Sequence, residues 1–135
     1  MKKIMALDIG EKRIGIAFNQ GSSIAFPWGT MRRGEDTLTS LLKLIAIWQP
    51  EEVVIGLPLR TDNSQGEEAH RVKVFAQSLA ERFLGKVTLW DERFSSKEAE
   101  KRLIEGIMRR KKRRTVIDQF SAMLILQAYL DREHR

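Results

Sequence analysis

The chain has 135 residues, 42% of them hydrophobic and 31% charged, which is room for one domain around one sizeable core. It has no cysteine, so a disulfide framework and a thiolate metal site are both excluded, and a reducing cytoplasm fits. The net charge of +6 comes entirely from six consecutive cations, Arg109, Arg110, Lys111, Lys112, Arg113 and Arg114, because the other 18 basic residues balance 18 acidic ones.

The opening MKKIMALDIG places a short apolar run after two lysines, but Asp8 interrupts it and no small-residue cleavage site follows. It reads as a strand, not a secretion signal. Other apolar runs, around Leu44 to Trp48 and Met123 to Leu126, fall well short of the roughly 20 residues that cross a bilayer.

Lys3 to Ile9 is apolar at nearly every position, as in a strand covered on both faces, and Gly10 to Lys12 turns into a second strand, Arg13 to Asn19. A turn at Gly21 to Ser23 leads to a third, shorter strand from Ile24 to Trp28, expected to end near Pro27 and Gly29. From Asp36, Leu38, Leu41, Leu42, Ile45 and Trp48 recur at helical spacing until Pro50. Val53 to Ile55 is a buried strand running into Gly56, Leu57 and Pro58.

Ser64 and Glu67 have capping-box spacing and open a helix whose apolar face is Val72, Phe75, Ala76, Leu79, Ala80 and Phe83. Val87 to Trp90 is the next strand. Ser95 and Glu98 repeat the capping spacing before a short helix to about Ile107, and after the basic run a last helix spans Thr115 to about Asp131. Three strands followed by alternating helices and strands predict an antiparallel meander joined to a parallel half-sheet. No linker or repeat divides residues 1–135, so a single domain is expected.

Three acidic positions break the apolar pattern. Asp8 stands between Leu7 and Ile9, and a desolvated carboxylate needs a pairing, hydrogen-bonding or metal partner. Either it turns into the Gly10 loop and accepts backbone hydrogen bonds, or it is a metal ligand. Asp91 and Glu92 end a strand at the carboxyl edge, where parallel sheets place ligands. Alternation puts Glu92 with Thr88 and Trp90, and Asp91 with Val87 and Leu89, without saying which set looks toward Asp8; a plain acidic turn pairing with Arg93 is the other reading. Asp118 shares a helix face with Ala122 and Ile125, yet Thr115 and Asp118 also have capping-box spacing.

Three such carboxylates suit Mg²⁺, a hard cation that keeps water and phosphate oxygens in its shell. Two such ions about 4 Å apart drive in-line phosphodiester displacement without a protein nucleophile. Serine-histidine chemistry has little support, since His70 lies in a helix and His134 at the terminus, and a zinc ligand cluster is missing. The basic run is either a solvated loop or a phosphate-binding segment.

Four segments together match a known family: Leu7 to Ala17 (LDIGEKRIGIA), Val54 to Leu59 (VIGLPL), Asp91 to Ser96 (DERFSS), and Asp118 followed by Ser121, Ala122 and Leu126 to Leu130 (LQAYL). Over nearly its whole length the chain resembles the YqgF/RuvX family of pre-16S rRNA nucleases, also described as Holliday junction resolvase-like, within the ribonuclease H-like superfamily. An Asp-x-Gly turn also occurs in actin-like kinases, but that fold needs two such domains around a nucleotide.

The resemblance implies an α/β fold with a five-stranded mixed sheet flanked by helices. It implies catalytic, metal-binding acids at Asp8, Glu92 and Asp118, with Asp91 in reserve, and a Mg²⁺ or Mn²⁺ site of two ions. Lys12, Arg13 and Arg93 resemble the family's basic companions, though ordinary surface charges fit them as well; with Arg109 to Arg114 they form the expected nucleic-acid contacts. The chain departs at Asn63, in the loop Thr61 to Ser64, where Gly is expected, and at Ser121, where Ala is expected. The implied function is processing of structured precursor rRNA by a monomer or homodimer. Alternatives are a nuclease for branched DNA and a non-catalytic RNA-binding assembly factor.

Overall fold

The computed structural model describes residues 1–58, 66–92 and the backbone of 114–133, with side chains in the last segment from 120 to 132. The Thr61 to Ser64 loop, the Ser95 to Ile107 helix, Arg93 and residues Arg109 to Arg113 lie outside the described residues. The elements are β1 (Ile4–Ile9), β2 (Arg13–Phe18), β3 (Phe26–Arg32), α1 (Thr37–Trp48), β4 (Glu52–Leu57), α2 (Glu67–Ala80), β5 (Lys86–Asp91) and α3 (Arg114–Glu133). Among the described residues no helix is long and apolar enough to cross a membrane.

The strands form one five-stranded sheet in the order β3-β2-β1-β4-β5. β1 pairs antiparallel with β2 and β2 with β3, while β1 with β4 and β4 with β5 are parallel. This is the expected meander joined to a parallel half-sheet. Strands β1 and β4 are central, and every residue of β4 is buried, as is β1 up to Leu7.

Alternation sorts the core into two layers. Met5, Leu7, Ile14, Ile16, Val53 and Ile55 face Leu41 and Ile45 of α1 and Val72, Ala76 and Leu79 of α2. Ile4, Ala6, Ala17, Val54 and Trp90 face Ala122, Ile125, Leu126, Tyr129 and Leu130 of α3. Phe18 stacks on Trp48 with ring centroids 3.8 Å apart, so the end of α1 is pinned to β2 by a pair that contributes about 0.5–1.5 kcal/mol beyond its buried area. At that end Gln49 takes a left-handed conformation (φ 57°) and donates its amide to the Ile45 carbonyl, stopping the helix before Pro50.

Two local expectations are corrected. Strand β3 does not end at Pro27 and Gly29 but runs through both to Arg32. It is an edge strand, where proline's missing donor costs no ladder bond. Ile16 pairs with Gly29 but Ala17 with Pro27, so Trp28 is the extra residue of a bulge, and Gly29 supplies its φ of 152°.

Helix α2 opens at Glu67 with Gly66 in extended backbone as its N-cap, so Glu67 is the first helical residue rather than the third of a box capped by Ser64. Helix α3 is described from Arg114; the capping reading of Thr115 and Asp118 rests on side chains outside the described residues.

Candidate active site

Asp8 is the first partly buried position after four buried ones in β1, at the carboxyl edge of the parallel half-sheet. Its parity with Ile4 and Ala6 puts it on the α3 face of the sheet. Across β2 it lies opposite Gly15, which in turn lies opposite Thr30. On the other side Leu7 pairs with Ile55, and the next rung brings Asp8 beside Gly56. Both lateral neighbours of Asp8 are thus glycines, and the strand surface on each side of its carboxylate carries no side chain.

Gly56 pairs with Trp90, and Leu57 with Asp91. The next residue, Glu92, folds back over Gly56: a Cβ placed there would lie 2.9 Å from Glu92 Oε2 and 2.6 Å from Ile125 Cδ1. The Glu92 carboxylate therefore stands on the α3 face, above the strand that neighbours Asp8. Asp91 has the opposite parity and shares the α1/α2 face with Leu57 and Val87. The register settles a question that alternation alone left open: Glu92, not the reserve Asp91, is on the same side as Asp8.

Helix α3 runs antiparallel to β4, since Ile125 reaches Gly56 near the strand's end while Tyr129 reaches Glu52 at its start. Asp118 lies seven residues before Ile125, so the helix carries its backbone about 10 Å farther toward the carboxyl edge. Its side chain is outside the described residues, as is that of Arg114. Among the described residues no group of three His, Cys, Asp or Glu is placed to hold a metal.

The Asp8 and Glu92 pair nonetheless fits a hard divalent cation. Both offer oxygen donors, and the missing Cβ of Gly56 lets one of them sit directly on the backbone.

Lys12 and Arg13 occupy the same edge. Gly10 donates its amide to the Arg13 carbonyl at 2.8 Å to close the β1–β2 turn, leaving Lys12 exposed at its tip and Arg13 partly buried at the start of β2. Arg33 braces that turn: its guanidinium donates to the Gly10 carbonyl at 2.9 Å and its amide to the Lys12 carbonyl at 2.9 Å.

Sequence reasoning missed one further carboxylate in the sheet. Glu52, 1% exposed, begins β4 at the edge away from Asp8. Its Oε2 accepts hydrogen bonds from Thr88 Oγ1 at 2.6 Å and from Tyr129 Oη at 2.7 Å, and Lys2 Nζ lies 3.5 Å from Oε1. Burial pushes its carboxyl up, but the hydrogen bonds from Thr88 and Tyr129 and the charges of Lys2 and Lys86 outweigh that and hold it below its ordinary 4.5. Its neighbours supply locally what an isolated buried charge lacks. Glu52 ties β4, β5 and α3 together.

The fold is similar to that of solved resolvases. The chain superposes on T. thermophilus RuvC in complex with a Holliday junction substrate with a TM-score of 0.64, at 12% identity over 99% of this chain and 96% of that one. For the Fowlpox virus resolvase in complex with Holliday junction DNA the TM-score is 0.59, at 14% identity over 98% and 99%. The protein therefore has a ribonuclease H-like fold of the resolvase type.

Sequence narrows this further. Residues 2–132 match the RuvX family, described as Holliday junction resolvase, and the chain belongs to that family of nucleases. A relative from Syntrophomonas wolfei, described as a "Putative pre-16S rRNA nuclease", is 44% identical over 137 residues, covering 96% of this chain and 94% of its own. Proteins of the same description from Listeria monocytogenes and Desulfitobacterium hafniense are 37% and 38% identical, each over 96% of this chain and over 97% and 92% of their own.

Proposed function

We propose that residues 1–135 form one divalent-cation-dependent nuclease domain in which Asp8, Glu92 and Asp118 hold Mg²⁺ or Mn²⁺. The observation that carries the reading is the placement of Asp8 and Glu92 on one sheet face at the carboxyl edge, with glycines rather than side chains beside them. The bound ions would supply water activation and stabilisation of the leaving oxygen in phosphodiester hydrolysis.

The chain's own residues do the positioning. Asp8 is held by a strand paired on both sides, and Glu92 by its seat on Gly56. Lys12, Arg13, Arg93 and the run Arg109 to Arg114 contact phosphates and fix the strand's path. Precursor 16S rRNA is the substrate favoured by the relatives' description, and its processing is assigned here to the 5′ end, in the cytoplasm. A branched-DNA substrate is the second reading, favoured by the family's own description. It requires a dimer to cut two strands symmetrically, whereas a monomer suffices for RNA.

Asp8→Asn should abolish Mg²⁺- and Mn²⁺-dependent cleavage of a precursor-rRNA segment while RNA affinity and thermal stability stay at wild-type levels. A parallel assay on a four-way DNA junction separates the two substrates. Undiminished cleavage by Asp8→Asn would sink the metal-site reading. RNA binding without cleavage at any metal concentration would leave a non-catalytic assembly factor.

A further inference from the structure

On the α3 face of the antiparallel half-sheet, Arg13 of β2 lies directly opposite Arg32 of β3. Both continue the parity of Gly15 and Thr30, the residues level with Asp8, and both lie two residues farther toward the carboxyl edge, about 6.7 Å beyond that row. Like charges placed directly opposite on a sheet repel. Among the described residues neither guanidinium has an ion-pair or hydrogen-bond partner, the ion pairs there being Lys2 with Glu52 and Arg71 with Glu67. The contrast lies at the other end of the sheet, where Glu52 is opposite Lys86 and the charges are complementary. Arg33, next in sequence, is already engaged by the Gly10 turn.

We infer that Arg13 and Arg32 form a two-arginine subsite for a backbone phosphate of the nucleic-acid strand lying across the site. The inference rests on the nucleic-acid reading above and extends it to a residue, Arg32, that neither motif nor basic run marks. Arg32 is exposed on the outermost strand, two strand spacings across and two residues along the sheet from Asp8, about 12 Å in all. A strand seated at Asp8 and Glu92 therefore leaves over β2 and β3 with a neighbouring phosphate between the two arginines. An anion there relieves their repulsion, and planar guanidinium groups match phosphate oxygens in pairs.

The test is the salt dependence of binding of a fluorescein-labelled RNA hairpin with a single-stranded tail, measured in EDTA so that cleavage does not enter. Arg32→Ala should lower the slope of log Kd against log salt by about 1 and leave or raise the thermal midpoint, because repulsion is relieved. Arg32→Lys should restore the slope, and Arg82→Ala, an exposed cation on the α2–β5 connection, should not change it. An unchanged slope in Arg32→Ala, or a lowered midpoint with no change in slope, overturns the subsite and leaves the nuclease reading standing. A lowered slope in a protein that shows no metal-dependent cleavage overturns the nuclease reading and leaves the subsite standing.

Discussion

Gly56→Ala separates the architecture of the site from the stability of the fold. The new Cβ would lie 2.9 Å from Glu92 Oε2 and 2.6 Å from Ile125 Cδ1, against the roughly 3.5–4.0 Å of ordinary carbon contact. Ile125 must retreat by about 1 Å and the Glu92 carboxylate by about 0.5 Å or more. Both contacts are the far ends of flexible side chains, so the cost in stability is modest. Overpacking costs about 1–3 kcal/mol, and replacing glycine by alanine inside a strand returns about 0.5–1 kcal/mol, leaving a net loss of about 0–2.5 kcal/mol. The cost to chemistry is larger, because misplacing a reacting group by about 1 Å lowers rates about 100-fold.

The expected result is a folded protein, a few degrees less stable by thermal melting, whose Mn²⁺-dependent cleavage falls about 10- to 100-fold. Adding Ile125→Val removes the Cδ1 clash and recovers part of the melting temperature, but leaves the Glu92 clash, so cleavage stays low. Wild-type cleavage by Gly56→Ala, or full recovery of cleavage in the double variant, would refute the argument that Glu92 acts from its seat on Gly56.

Two further outcomes follow from other parts of the molecule. Because the carboxyl of Glu52 titrates below its unfolded value, its contribution to stability is present above about pH 4.5 and is lost as pH falls through the folded value. Glu52→Gln should therefore destabilise by about 1–3 kcal/mol at neutral pH, with the difference from wild type shrinking as acid unfolding is followed below pH 4.5; a pH-independent difference would contradict this. Neutralising Arg109 to Arg114 together should lower the salt slope of RNA binding by up to about 4 on single strands, and a slope equal to wild type would exclude the run from the interface.

Most elements were legible because their signals are local. The apolar spacing of Leu38 to Trp48 and the runs in β1, β4 and β5 fall within a residue or two of the observed helix and strands. Where reading failed, position in the sheet overrode a local signal. Pro27 and Gly29 are stop signals in an interior strand, but on an edge with a bulge they are accommodated. Ser64 and Glu67 have the spacing of a cap, yet Gly66 takes the N-cap. Glu52 carries no local signal, because its partners Thr88 and Tyr129 are 36 and 77 residues away.

The sequence by itself determined which residues alternate, which acids stand at strand ends and, through its motifs, the family. Alternation has period two and no sign: it separates Asp91 from Glu92 without assigning either to a face. Only the tertiary register decided that. Leu7 opposite Ile55, Gly56 opposite Trp90 and Leu57 opposite Asp91 turn Glu92 toward Asp8 and Asp91 away, and the same register, continued through β2, sets Arg13 against Arg32. Hydrogen-bonded pairing between segments far apart in the chain carries that information, and one residue of slip would move every side chain to the other face.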